Sequence, residues 1–277
     1  MNTESQQAKG ASAPFRINFI GSISQDNSEI LDNIEKNAEK YPVIELTAPH
    51  KRPLAIVGGG PSVADKLDIL RKWPGDIWSI NRTPQYLAQY GIKSTLISVD
   101  ASTNWDEWSA PEYVEDAIMS SWCPPSIMDA YKNVRIFHME PFVKGGIHGG
   151  STTAVSMPIP AAVLGYSDVT FFGCESSFLD KDHAYVHESK PDQLIVRANG
   201  QDYRTTPPFF VQSQELSKII RGVPFIYKED SGGLLRAMIQ DEDWSIVAVS
   251  ESLKAHLEEV NGDQGLYDTK YTWNTCQ

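Results

Sequence analysis

Short apolar runs recur along the middle of this chain at intervals that leave room for a helix between them. They are LAIV (54–57), IWSI (77–80), TLISV (95–99), VRIF (134–137), VTFF (169–172) and VPFIY (223–227). Between them lie SVADKLDILRKW, PQYLAQYG, PEYVEDAIMSSW and TTAVSMPIPAAVLGY, read as helical or irregular. Runs this short are strands, and runs apolar at every position need cover on both faces. Strands alternating with helices therefore predict an α/β domain, a mostly parallel sheet with helices on both faces, over residues 53–242.

Two regions break the rhythm. One is 101–126, rich in Trp, Ser and Pro and containing Asn104-WDEW-Trp108; the other is 176–210, containing HAYVH and TTPPFF. Long irregular insertions in a compact domain are more often lids than accidents, and 176–210 is read as a lid insertion. Residues 1–14 read as a disordered polar leader, and 15–52 as an embellishment packed on the main domain. Residues 243–277 read as a helix, ESLKAHLEEV, followed by a tail.

The chain has 277 residues and 41% apolar content, enough for one sizeable core. No stretch approaches the roughly 18 apolar residues of a membrane span. With no apolar signal core at the start, a cytoplasmic protein is expected. The three cysteines, Cys123, Cys174 and Cys276, are widely spaced, which suggests neither a disulfide framework nor a zinc site. A net charge of −12, from 36 acidic and 24 basic residues, argues against an extended duplex nucleic-acid footprint. Small anions are another matter, because backbone amides and one or two local cations can hold them.

Ligands of parallel sheets bind beyond the carboxyl ends of the strands, so the residues that follow each run are the place to look. They are Gly58-Gly59-Gly60-Pro61-Ser62, Asn81-Arg82, Asp100, Gly173-Cys-Glu175-Ser176 and Ser231-Gly232. Glycines let a backbone turn sharply and approach a ligand, and the helix that follows adds a positive N-terminus. The plainer reading of Gly58–Ser62 is a tight turn with no ligand. The spacing is neither G-x-G-x-x-G nor a P-loop, so it names no particular nucleotide motif. A second cluster, GGIHGGSTTAV, places Ser151, Thr152 and Thr153 at a helix start, as caps or anion ligands. Pro158 and Pro160 should kink or shorten that helix.

His183 and His187 are four apart, a spacing that suits a metal pair, but no third ligand is evident. A general base is the better functional role for a histidine in a loop above the site, set against a plain surface or core histidine. Asp100 is read as a Mg²⁺ ligand, a ribose partner or a simple cap. Cys174 is read as a small buried residue rather than a nucleophile.

The segments LAIVGGGPS, IWSIN, TLISVD, GGSTTAV, LGYSDVTFFGCESSF and HAYVH resemble the MptE-like family, over about residues 53–240. That family includes 6-hydroxymethylpterin diphosphokinases and Maf-type motility-associated glycosyltransferases. The same segments are similar to the bacterial CMP-sialic acid-dependent sialyltransferases. The resemblance implies a Rossmann-like sheet that binds a nucleotide or nucleotide-activated donor, CMP- or UDP-linked. It implies Gly58–Ser62 along the donor phosphate, Asn81 near the nucleotide, Ser151–Thr153 at the nucleotide or its leaving group, and Ser231-Gly232 bounding it. His187 would match the catalytic base that deprotonates the acceptor hydroxyl. Tyr185 is shifted by one place from the sialyltransferase arrangement, so no phosphate-supporting tyrosine is carried over. SVDAS is poorer in acid than its diphosphokinase counterpart.

Three readings follow. The first is a transferase with a nucleotide-activated donor, a glycosyltransferase with His187 as base and no metal required. The second is a diphosphokinase using Asp100 and Glu175 around Mg²⁺. The third is a non-catalytic nucleotide-binding module. The acceptor, be it glycan, metabolite, protein or modified nucleotide, is not legible, and a homo-oligomer is compatible with all three.

Overall fold

At the middle of the main sheet is β1 (Leu54–Val57), all four of its residues buried. It pairs in parallel with β2 (Asp76–Ile80) on one side and β6 (Val169–Phe172) on the other, Val57 lying opposite both Ser79 and Phe172. The computed structural model describes residues 27–101, 111–114, 116–178, 194–251 and 253. The sheet has seven parallel strands in the order β5-β4-β3-β2-β1-β6-β9, where β3 is Thr95–Ser98, β4 Asp116–Ser120, β5 Asn133–Phe137 and β9 Tyr227–Glu229. The chain thus lays strands outward from β1 to β5, then returns to the other side of β1 to place β6. The point between β1 and β6 is the switch point of a Rossmann-like α/β fold, where a crevice opens beyond the strand ends.

Alternate residues of β1 serve opposite faces. Ala55 and Val57 pack with Val63 and Leu70 of α2 (Val63–Arg71) and with Tyr86 and Leu87 of α3 (Thr83–Gln89). Further out on that face, α4 (Pro125–Met128) covers Leu96, Ala117 and Met119. Leu54 and Ile56 face the other way, toward Ala161 of α6 (Pro158–Val163) and Leu216 and Ile220 of α7 (Pro207–Gly222). Preceding α6 is the short α5 (Thr153–Ser156), which ends two residues before Pro158, as a proline in mid-helix dictates.

The polar helix α1 (Asn27–Lys40) fills the end of β4. Its buried Asn37 donates from Nδ2 to the carbonyls of Ser121 and Cys123, at 3.0 and 2.7 Å. Asn33 donates to the Trp122 carbonyl. Pro42 and Ile44 then exchange backbone hydrogen bonds with Ile136 of β5.

Some elements differ from their sequence reading. PEYVEDAIMSSW contains strand β4, because Ala117–Ser120 is buried between β3 and β5 and pairing outweighs the helical preference of Ala and Met. The last apolar run, 223–227, is mostly the turn that follows α7, and β9 begins only at Tyr227. In 176–210, residues 194–205 are regular: β7 (Leu194–Ala198) and β8 (Gln201–Thr205) form a hairpin through Asn199 and Gly200, both at positive φ. With β10 (Trp244–Val249) they make a three-stranded antiparallel sheet in the order β10-β7-β8. Its apolar face packs on Phe210 of α7 and on Leu234 and Met238 of α8 (Gly233–Gln240). Residues 179–193, with His183, Tyr185 and His187, lie outside the described residues, as do 102–110 with the WDEW segment. Among the described residues no helix is long and apolar enough to cross a membrane.

Candidate functional site at the switch point

The glycine run after β1 lies against the turn that follows β6. Gly58 donates its N–H to the Phe172 carbonyl at 2.8 Å, and Gly60 to the Gly173 carbonyl at 2.9 Å. A Cβ on Gly58 would stand 2.5 Å from the Gly173 oxygen, and one on Gly60 would stand 1.7 Å from Oε2 of Glu175. These two glycines are required by the approach of one loop to another, before any ligand is considered.

Glu175 is the hinge of this arrangement. Only 1% exposed, it accepts the Ser62 N–H on Oε1, at the start of α2. Its backbone carbonyl accepts the Leu235 N–H at 3.0 Å, at the start of α8. One residue thus satisfies an amide at the N-terminus of each of two helices. Its Oε2 and the Ser62 hydroxyl are both buried without a partner. Burial raises the carboxyl pKa, and the Ser62 hydroxyl and amide close to the carboxyl oppose it. Beside it, burial pushes the Cys174 thiol well above its ordinary range, which suits a packed residue and not a nucleophile.

A hydrogen-bonded chain ties the second polar cluster to this turn. Thr152 donates its hydroxyl to Oε1 of Gln212 at 2.8 Å, and Gln212 donates from Nε2 to the Ser176 hydroxyl at 3.0 Å. Thr152 also caps α5 by accepting the Val155 N–H, while Thr153 is buried as the first residue of that helix. The Ser151 N–H is accepted by Glu215 Oε2 at 3.0 Å. Ser176 sits at φ 57°, a left-handed conformation for a residue with a side chain, and Thr205 donates to its carbonyl.

The loop after β9 closes the third side. The Ser231 hydroxyl accepts the Cys174 N–H at 2.9 Å. The amides of Ser231 and Gly232 both donate to Oε1 of Glu229, whose side chain is only 6% exposed. Arg236 pairs with Glu229 at 3.0 Å, and Lys66 with Asp230 at 2.7 Å.

Of the residues singled out in the sequence, Gly58, Gly60, Ser62, Ser151, Thr152, Glu175, Ser176, Ser231 and Gly232 make these contacts, and Gly59, Pro61 and Thr153 lie beside them in the same segments. Asn81, Arg82 and Asp100 stand along the same edge, after β2 and β3, on the far side of β1 from Glu175. Asn81 is at φ 56°. Asp100 is exposed and receives its cap from Ser98, whose hydroxyl accepts the Asp100 N–H at 3.1 Å. Gln212, Glu215 and Glu229 were missed. In the structure Gln212 lies on the buried stripe of α7 with Ser213 and Ser217, a placement that nothing local in PPFFVQSQELSKII announces. His138 was also missed: it follows β5, half-buried, with Nδ1 3.0 Å from the Ser121 hydroxyl, and burial lowers its pKa. Among the described residues no group of three or more His, Cys, Asp and Glu side chains is placed to hold a metal ion.

No family model matches the chain, and no curated protein matches it in sequence. Solved structures do. A Maf glycosyltransferase from Magnetospirillum magneticum AMB-1 superposes with a TM-score of 0.58 at 15% identity, over 76% of this chain. The likeness is one of fold. The matched part spans 38% of that protein's chain. A mammalian sialyltransferase in complex with Gal-beta-1-3GalNAc-ortho-nitrophenol aligns at a TM-score of 0.40 and 11% identity, over 79% of this chain and 90% of the other. The Rossmann-like sheet expected from the sequence is thus shared with part of the Maf glycosyltransferase.

Proposed function

We propose that this chain is a transferase that takes a glycosyl group from a nucleotide-activated donor. The observation that carries the reading is the convergence of Gly58–Ser62, Glu175-Ser176, Ser151–Thr153 and Ser231-Gly232 at the switch point of a Rossmann-like sheet, the ligand crevice of such folds. The likeness to a Maf glycosyltransferase supports choosing glycosyl transfer among the reactions this fold hosts. The donor we infer is a CMP- or UDP-linked sugar, its nucleoside lying between the glycine loop and Asn81.

The chemistry needs one new bond and one broken bond. The acceptor hydroxyl oxygen attacks the anomeric carbon of the donor, and the bond from that carbon to the donor phosphate oxygen breaks. The nucleotide leaves with the electron pair. His187, which lies outside the described residues, is proposed to take the hydroxyl proton; such a base contributes roughly 10²–10⁴-fold. No metal is needed for this sequence of events.

The test is donor binding followed by turnover. CMP, UDP, CDP, GDP, ADP and ATP are titrated with and without Mg²⁺, and CMP- and UDP-sugars are then assayed for release of nucleotide. Metal-independent pyrimidine binding with slow donor hydrolysis supports the proposal, and His187→Ala should cut turnover while leaving nucleotide affinity intact. Mg²⁺-dependent ATP binding with no sugar release would instead favour pyrophosphoryl transfer through Asp100. Nucleotide binding without turnover of any donor would leave a binding module.

A further inference from the structure

Each of the three glycine- and hydroxyl-rich loops at the switch point has a glutamate on its backbone amides. Glu175 accepts from Ser62, Glu215 from Ser151, and Glu229 from both Ser231 and Gly232. Groups of loop amides and helix N-termini are where such folds hold phosphate, because the N–H groups converge and the helix end carries positive potential. Here those same N–H groups already have an acceptor supplied by the chain.

The α2 terminus makes the case most sharply. The Glu175 side chain lies in the notch left by Gly60, where any Cβ would collide with its Oε2. That oxygen is buried and has no partner, although the residue is only 1% exposed. The carboxyl group holds the Ser62 amide through Oε1. It fills the position that an anion would take on the Ser62 amide. On the other side of β6, the Glu229 side chain is nearly as buried and is held from behind by Arg236. Lys66, on α2 itself, pairs with Asp230.

We propose that these loops exclude phosphate, with Glu175 and Glu229 as the residues that enforce it. The loops then face the uncharged part of a ligand, a nucleoside or sugar, and any phosphate is held by groups outside them. Glu175 and Glu229 are in this sense specificity-determining residues. The inference does not rest on the transferase reading, since it concerns only which anion the loop amides can accept.

The experiment is a titration of the full chain with inorganic phosphate, following the backbone amide resonances of Ser62, Ser231 and Gly232. In the wild type all three should stay in place. In Glu175→Ala the Ser62 resonance alone should move and saturate, with an apparent Kd roughly tenfold or more below the highest phosphate concentration at which the wild type stays in place, the size of an anion's interaction with a partly buried helix terminus. Glu175→Gln, which keeps the shape, should behave as the wild type. In Glu229→Ala the Ser231 and Gly232 resonances should respond. Saturable movement of Ser62 in the wild type overturns the proposal, and needs no variant to fold. So does a folded Glu175→Ala whose Ser62 amide ignores phosphate. Neither result depends on whether any sugar donor is turned over.

Discussion

Gln212 bridges Thr152 and Ser176, accepting the hydroxyl of one at 2.8 Å and donating to the hydroxyl of the other at 3.0 Å. All three belong to different parts of the chain, and the bridge is what joins the β5–α5 loop to the turn after β6. Gln212 is 7% exposed, so water cannot readily replace it. Gln212→Ala should therefore cost about 1–3 kcal/mol, the range for stranding buried polar groups, measured by denaturant unfolding. Gln212→Glu is the sharper test. Its second oxygen can only accept, whereas the Ser176 hydroxyl already directs its proton to the Cys174 carbonyl at 3.2 Å. The carboxylate variant should be no more stable than the alanine variant at neutral pH and should recover stability in acid, where it regains a donor.

Gly60 faces a harder constraint than the turn it occupies. An added Cβ would lie 1.7 Å from Glu175 Oε2, and 2.7 Å from the Gly173 carbonyl oxygen, which belongs to rigid backbone. Gly60→Ala should cost at least about 3 kcal/mol, the upper part of the range for overpacking. Combining it with Glu175→Ala removes the first clash but not the second. The double variant should be more stable than the sum of the two single losses predicts, because the two sites share one volume. Strict additivity in the unfolding free energies would mean that the loops separate on their own.

The buried carboxyl of Glu175 links stability to pH with a definite sign. Its folded-state pKa is raised, by burial first, above the ordinary value of 4.5. Between that value and the raised one the native chain holds a proton that the unfolded chain has lost, so stability falls as pH rises. The contribution is fully present below about 4.5, is lost as pH climbs through the folded pKa, and is flat beyond it. Glu175→Gln lacks this titration. The difference in unfolding free energy, wild type minus variant, should therefore decline from pH 4.5 upward. A difference that rises with pH would show that hydrogen bonding from Ser62 outweighs burial.

How far the sequence could carry this picture depends on which forces each residue obeys. LAIV, IWSI, TLIS and VTFF were legible as buried parallel strands because continuous apolarity has few other uses in chains so short. DAIMS was not, since Ala and Met carry no strand signal and only the neighbouring β3 and β5 determine its state. The β7–β8 hairpin had a local signal in Asn199-Gly200, the pair that a tight turn with two positive φ values favours, yet it was hidden in a region read as irregular. The polar strand ends were found because the fold class dictates where to look. Their partners were not: Glu215 and Gln212 come from the middle of α7, and nothing near them in sequence announces a partner 60 or more residues away.

Asn81 offers a way to separate strain from binding. It follows β2 at φ 56°, in the left-handed region, and its cost of about 1 kcal/mol is lower for Asn than for most residues with a side chain. Asn81→Gly relieves that cost, so the variant should be as stable as the wild type or gain up to about 1 kcal/mol. Asn81→Val should lose stability, because a branched side chain fits this conformation poorly. If the Asn81 amide recognises the donor nucleoside, as proposed, the glycine variant should bind pyrimidine nucleotide roughly tenfold more weakly despite its intact fold, the loss of about one polar contact. A glycine variant with undiminished affinity would reduce Asn81 to a turn residue and move the nucleoside away from the end of β2.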